Sequence, residues 1–280
     1  MDKQVFIVFF SASGATRRVA DMICEGFQKK ETAVSLHSLG NRTDTDKLYA
    51  ELRSAGSKAC LFVGSPVYRD GAVPAVTAFL KDLPVLQGAV AVPFVTWGKA
   101  CSGLALWQMG KALMGKGYSL AGAAKVLAVH SLMWRVRNPP GESHPDEEDL
   151  RRLLEMVDEL CERFQSDRQR TIALEQLDYW PEGESDQIKK KISAPWMIVP
   201  KTVDQDACTQ CGICEQECPV GSITLGPFPE FDRTCCDCFN CIRLCPEDAI
   251  EPKISMDQIE SLVWERVNSI DERPRTQIFL

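Results

Sequence analysis

The sequence predicts an open α/β sheet, parallel and covered by helices on both faces, followed by a small cysteine-rich unit of different composition. Three observations carry this. Short apolar runs alternate with helix-period segments across the first 165 residues. Nine of the thirteen cysteines fall between Cys208 and Cys245. Residues 201–252 hold ten acidic side chains against Lys201, Arg233 and Arg243, within a 280-residue chain of formal net charge −7.

The first apolar run, Val5–Phe10, follows Met1-Asp2-Lys3-Gln4 with no small-residue cleavage site behind it. It is too short for a signal-peptide core and reads as a buried first strand. Val19, Met22, Ile23 and Phe27 then share one helical face. Further strands are expected at Ala33–His37, Ala59–Gly64, Val90–Thr96 and Val126–His130, with helices over Val73–Leu80 and Leu104–Met114. A last helix is marked by Leu150, Leu153, Leu154, Val157, Leu160, Cys161 and Phe164. Pro93 sits inside the fourth run, where a central strand loses a ladder donor. A bulge, or a strand starting at Phe94, would accommodate it.

From Gln165 to about Pro200 the periodicity decays through Asp167-Arg168-Gln169-Arg170, Trp180-Pro181-Glu182-Gly183-Glu184 and Lys189-Lys190-Lys191, which reads as a linker wrapping the surface. The three lysines are either a solvated face or a docking element for the acidic segment. Beyond it, Ser255 and Gln258 form a capping box opening a short helix with Ile259, Leu262, Val263 and Val267 inward. The tail after Pro274 is expected to be loosely held.

No apolar run approaches the roughly 18–20 residues of a membrane span, and the acidic balance argues against a phosphate-backbone binder. Clustered cysteines in a chain without a signal peptide point to a reducing cytoplasm and to metal rather than disulfides.

Cys208, Cys211, Cys214 and Cys218-Pro219 follow the spacing C-x2-C-x2-C-x3-C-P, and Cys235, Cys238, Cys241 and Cys245-Pro246 repeat it. The flanks repeat as well, Pro219-Val-Gly-Ser-Ile223 against Pro246-Glu-Asp-Ala-Ile250. Over about fifty residues this resembles the bacterial two-cluster ferredoxin, in which the fourth cysteine of each run reaches the other cluster. The resemblance implies one [4Fe–4S] cluster on Cys208, Cys211, Cys214 and Cys245, and a second on Cys235, Cys238, Cys241 and Cys218. Paired structural zinc sites are the plainer alternative, but zinc needs neither the triple spacing nor the proline. Cys236 is surplus and is expected to point away from the cluster as a buried thiol. The surrounding carboxylates lower the cluster potential and offer a negative docking face to a basic redox partner.

Ser11-Ala12-Ser13-Gly14-Ala15-Thr16 lies where the first strand meets the first helix, and hydroxyls around a glycine at a helix N-terminus suit a phosphate. The plain reading is an N-capped helix. Gly64–Gly71 and Thr96–Gly103 fall where ligand loops of an open sheet lie, each with one aromatic, Tyr68 and Trp97. Together the three segments resemble flavodoxin over roughly residues 3–165. That resemblance implies a flavodoxin-like doubly wound five-stranded parallel sheet of order 2-1-3-4-5, with FMN phosphate on Ser11, Ala12, Ser13, Gly14, Ala15 and Thr16. The flavin ring would lie among Pro66, Val67, Tyr68, Trp97, Gly98 and Gly103. Ala15 stands where flavodoxins commonly carry asparagine, and Arg69 and Lys99 replace the usual acidic loop residues. His130 reads as a strand-end histidine and Cys101 as a packed thiol. Residues 131–145, with Trp134, Arg135 and Arg137, either cover the flavin or contact the cluster unit.

The order of the two halves is similar to the fused flavodoxin–ferredoxin proteins of anaerobes. The expected architecture is therefore a flavodoxin-like FMN unit over 1–165, a linker over 166–200, a bacterial-type 2[4Fe–4S] ferredoxin (α+β) unit over 201–252, and a C-terminal helix and tail over 253–280. The expected role is an electron relay between two [4Fe–4S] clusters and FMN, and to or from a partner protein. No catalytic acid–base pair is evident. The alternatives are an iron–sulfur flavoenzyme reducing a small molecule such as a quinone, and a reductase activating a partner metalloenzyme.

Overall fold

The computed structural model describes residues 3–41, 43–166 and 170–280. Met1 and Asp2 before the first strand, Arg42, and Asp167, Arg168 and Gln169 of the decaying segment lie outside the described residues.

The first half runs β1 (Gln4–Phe9), α1 (Ala15–Lys29), β2 (Val34–Ser38), α2 (Thr45–Ala55), β3 (Ala59–Tyr68), β4 (Gly71–Ala72), α3 (Pro74–Asp82), β5 (Val90–Trp97), α4 (Ala105–Gly115), β6 (Ser119–Leu120), β7 (Ala123–Leu127) and α5 (Glu147–Gln165). Five strands pair in parallel in the order β2-β1-β3-β5-β7. Renumbered as the five long strands, this is 2-1-3-4-5, the flavodoxin-like doubly wound order. Alternation along β1 shows why every residue from Val5 to Phe9 is apolar. Phe6 and Val8 join the core under α2, α3 and α4. Val5, Ile7 and Phe9 join the opposite core under α1 and α5, where the rings of Phe27 and Phe62 meet edge-on at 5.4 Å.

β5 runs straight through Pro93 instead of starting at Phe94. On its β7 side, Ala91 is the last residue paired with β6 and Phe94 the first paired with β7. The carbonyl of Ala91 faces that side, accepting from Ala121 N at 3.0 Å. Pro93, two residues on, faces the same break in the neighbouring strand, so no ladder donor is lost.

The second half adds α6 (Glu182–Ser193), β8 (Lys201–Val203), α7 (Ile213–Gln216), β9 (Ile223–Leu225), β10 (Pro229–Phe231), α8 (Asn240–Arg243), β11 (Ile250–Pro252), α9 (Met256–Ser269) and β12 (Gln277–Phe279). Two short antiparallel ribbons, β8–β11 and β9–β10, enclose α7 and α8 around the cysteines. Between the halves the chain is packed. Leu177 is fully buried, and Leu174 and Leu177 lie over Gly110 of α4. Trp180 donates from Nε1 to the Gly103 carbonyl at 2.9 Å. Lys189 pairs with Asp178 and Lys191 with Asp70, so both serve the first half and the linker rather than the acidic segment.

The tail is not loose. Gln277, Ile278 and Phe279 pair antiparallel with Lys125, Ala124 and Ala123 as a sixth strand that covers the β7 edge. The capping box at Ser255 and Gln258 opens α9 as expected. Ile259 and Val263 are buried, but Leu262 is 55% exposed because it faces a cavity mouth rather than the core. Among the described residues, no helix is long and apolar enough to cross a membrane.

Candidate cofactor-binding site

The loop after β1 is held open at its base and closed at its end. Phe10 N donates to the Gly64 carbonyl at 3.0 Å. Gly14 caps α1 at φ 94°, a left-handed conformation that favours glycine. Arg17 N donates to Ser11 Oγ at 3.1 Å, and Thr16 Oγ1 lies 2.7 Å from Thr96 Oγ1 at the end of β5. The first N–H groups of α1 have no partner within the helix and sit at its positive end.

Above this loop lies a cavity of about 410 Å³. Ala12, Ser13, Ala15, Thr16, Pro66, Val67, Tyr68, Trp97 and Gly98 line it, as the sequence suggested. Three expected residues lie off it. Ser11 turns to Arg17 N and borders a separate polar groove, and Gly14 serves as the helix cap. Gly103, at φ 55°, lies against the backbone of Asp70, where an added Cβ would meet Asp70 O at 2.1 Å. The opposite wall comes from the second half: Asp237 and Phe239 from the cysteine loops, Val199 before β8, and Leu262, Val263 and Arg266 from α9. Ser131 and Leu132 also line the cavity, while Leu132 and Trp134 pack on the cysteine-rich core. The 131–145 loop therefore lines the cavity and contacts the cysteine-rich unit.

The cavity fits a flat heteroaromatic carrying a phosphate. Its volume is that of a small-ligand site, and its floor ends at the helix N-terminus. Three lining residues hold a buried ring nitrogen, Trp97 Nε1, His130 Nδ1 and Trp196 Nε1, with no hydrogen-bond partner among the described residues. Burial pushes His130 down to about 4, so its ring is neutral.

The Arg69 loop is tied down by charge. Arg69 donates to Asp237 at 3.0 Å and stacks over Trp196 at 4.9 Å. Asp237 also accepts from Lys201 Nζ at 3.0 Å, and the Lys201 side chain is only 1% exposed. Lys201 donates further to the Val199 carbonyl at 3.0 Å and to Cys235 Sγ at 3.4 Å. Burial works to lower the Lys201 pKa, but Cys235 and Asp237 outweigh it and hold the ammonium above its ordinary value.

Cys208, Cys211, Cys214 and Cys245 line one small cavity together. Cys241 interacts electrostatically with Cys238, Cys235 and Cys218. Among the described residues, the only three His, Cys, Asp or Glu side chains with ligand atoms within 4.8 Å of one another are His144, Asp146 and Asp149, the cap of α5. The sulfurs are thus spread wider than tetrahedral zinc requires, where bonds of about 2.3 Å put sulfurs roughly 3.8 Å apart. A cubane spreads them, because each thiolate binds a different iron. Amide groups already point at two of these sulfurs, Ser222 N at Cys218 and Ala249 N at Cys245, each at 3.3 Å.

Cys236 is 1% exposed and packs into the first half's core, as a buried thiol should. It does not turn fully away: its thiol meets Cys238, which Cys236 holds down at about 7. Burial, then Asp70, pushes Cys101 up to about 12, so it is an inert thiol. Sequence reasoning missed Asn240, whose Nδ2 donates to the Ala12 carbonyl at 2.9 Å, and the Arg69–Asp237–Lys201 bridge. No local pattern marks either, since each joins segments more than 30 residues apart.

A model of the 4Fe–4S binding domain matches residues 201–224. Ferredoxin-2 of Chlorobaculum tepidum is 38% identical over 53 residues, which are 16% of this chain and 86% of that protein. This chain belongs to the ferredoxin family. It joins a ferredoxin-type 4Fe–4S domain, an electron-transfer module, to a flavodoxin-like fold. A component of the ion-translocating oxidoreductase complex of Methanosarcina acetivorans is 42% identical over 53 residues, 18% of this chain, and the match spans only 20% of that protein. Among solved structures, flavodoxin 2 of Bacillus cereus aligns at TM-score 0.45 and 18% identity, covering 57% of this chain and 99% of that one. The rubredoxin:oxygen oxidoreductase of Desulfovibrio gigas aligns at TM-score 0.44 and 20% identity, covering 69% of this chain and 38% of that one.

Proposed function

We propose that this chain relays low-potential electrons between two [4Fe–4S] clusters and FMN, and exchanges them with a redox partner protein. One observation carries the reading: Asp237 and Phe239, the neighbours of Cys238, form the wall of the cavity that faces Tyr68 and Trp97. The flavin unit would span residues 1–165 and the two-cluster unit 201–252, with 166–200 joining them and 253–280 covering the cavity.

When bound, FMN exchanges one or two electrons and each cluster one. The protein's contribution is placement. Ser13, Ala15 and Thr16 would hold the phosphate at the N-terminus of α1, with Ser11 and Gly14 shaping the loop. Pro66, Val67, Tyr68, Trp97 and Gly98 would flank the ring, and Gly103 would set the position of the Asp70 loop. Cys208, Cys211, Cys214 and Cys245 would hold the outer cluster. Cys235, Cys238, Cys241 and Cys218 would hold the inner one. Val199, Phe239 and Val263 of the second half wall the cavity on one side, which puts the cysteine-rich unit against the site and supports an internal relay over a quinone-reducing enzyme.

Cys211 is exposed, and Asp204, Asp206, Glu217, Glu247 and Asp248 are exposed on the same unit. A basic redox protein is the partner this charge would steer. The test is an anaerobic reductive titration with iron and flavin counted per chain. About eight irons and one FMN support the reading. A full iron complement with no FMN, even after FMN is offered, removes the flavin half of it.

A further inference from the structure

We propose that Lys201 and Asp237 make the two thiolate sets electrically unequal, so that the inner set, Cys218, Cys235, Cys238 and Cys241, is the better electron acceptor and stands last before the cavity. This rests on the two-cluster reading and adds to it an order and the residues that set the order.

The two sets share a spacing but not an environment. Among the described residues, the small cavity ringed by Cys208, Cys211, Cys214 and Cys245 has one charged side chain in its lining, Glu247, and it is exposed. The inner set has a cation instead. Lys201 begins β8, and its register opposite Pro252 directs the side chain inward, where it is 1% exposed. Its Nζ lies 3.4 Å from Cys235 Sγ, and the rings of Phe239 and Phe231 pack 5.1 and 6.0 Å from it. Asp237 balances Lys201 at 3.0 Å, and Arg69 balances Asp237 at 3.0 Å, leaving one net positive charge in the trio.

Reduction adds negative charge to a cluster already bound by four thiolates. A fixed cation in a low-dielectric position favours that addition, and a carboxylate opposes it. Donors to sulfur act in the same sense: each set has one amide at 3.3 Å, Ser222 N on Cys218 and Ala249 N on Cys245, and Ser222 Oγ, 3.4 Å from Cys218, is an addition to the inner set. Glu247 lies in the lining of the small cavity of the outer set, and Lys201 lies beside Cys235, whose near neighbours Asp237 and Phe239 wall the larger cavity. An electron arriving at exposed Cys211 therefore moves energetically downhill toward Cys238.

The experiment is a potentiometric titration of the full-length, cluster-reconstituted protein, followed by electron paramagnetic resonance, with iron counted in every sample. Lys201→Met lowers the reduction constant of one spectral component about tenfold, about 59 mV for one electron. Asp237→Asn raises the same component, and Glu247→Gln raises the other. A merely structural role for Lys201 and Asp237 would not give shifts of opposite sign on one component. If Lys201→Met loses irons, the separate components moved by Asp237→Asn and Glu247→Gln still decide the matter. Eight irons with both components unmoved, or with Asp237→Asn and Glu247→Gln moving the same component, overturns this proposal alone. Four irons in the unmodified protein overturns the two-cluster reading beneath it.

Discussion

Asn240, next to the cluster-motif residue Cys241, donates from Nδ2 to the carbonyl of Ala12 in the loop after β1 at 2.9 Å. One amide thus fastens the cysteine-rich unit to the segment read as a phosphate cradle, across 228 residues of sequence. Replacing Asn240 by Ala removes a hydrogen bond worth about 1 kcal/mol, so FMN affinity should fall roughly fivefold with the iron content unchanged. Fluorescence titration of the flavin-free protein, paired with an iron assay, reads both.

Gly98 is fixed by its neighbour. A Cβ there would meet His130 Cδ2 at 2.6 Å and His130 Cα at 2.7 Å, and a backbone atom has nowhere to move. Gly98→Ala should push the cavity wall apart, at the roughly 1–3 kcal/mol typical of overpacking, and weaken FMN about tenfold or more. The same titration checks it, with unchanged iron content as the control that the other half is intact.

The tail is held by a buried ion pair. Lys125 on β7 meets Glu272 at 2.5 Å, their side chains 5% and 10% exposed, and Glu272 also accepts from Ser102 N at 2.8 Å. Glu272→Ala leaves a lysine buried without its partner and should cost about 3–5 kcal/mol in denaturant unfolding. Release of β12 to proteolysis should accompany it. Replacing Lys125 and Glu272 together by Met and Leu should restore most of the loss, because the cost lies in the unpaired charge.

His130 supplies a pH prediction. Its folded pKa, near 4 because the ring is buried, lies below the roughly 6.5 of an unfolded histidine. The unfolded chain therefore takes up the proton first as pH falls, and stability present above about 6.5 is lost as pH falls toward 4. Partial solvent contact limits the effect to about 2 kcal/mol. His130→Leu should flatten this part of the stability curve, measured on the flavin-free protein by unfolding at several pH values.

The half of the fold that obeys a repeating pattern was legible in the sequence. Val5–Phe10 and the runs at Ala59–Gly64 and Val90–Thr96 read as strands because both faces are covered, while the last strand, expected at Val126–His130, runs Ala123–Leu127. What stayed hidden depends on contacts between distant segments. Nothing near Gln277 says that it will pair with Lys125, and Pro93 is harmless only because β6 and β7 leave a gap beside it. Leu262 follows the inward spacing of α9 yet faces the cavity mouth, since what lies beneath it is a ligand-sized space and not a core. Trp97, by contrast, ends a central strand and lines the cavity, where its position in the sequence puts it.

The most direct test of the relay is kinetic. The clusters of the full-length, FMN-loaded protein are reduced rapidly by a pulse of low-potential donor, and bleaching of the flavin is followed across a wide range of protein concentrations. The cavity lined by both Phe239 and Tyr68 predicts first-order bleaching whose rate is independent of concentration. A rate that rises in proportion to protein concentration would mean that electrons reach the flavin only from another molecule, and would contradict the account.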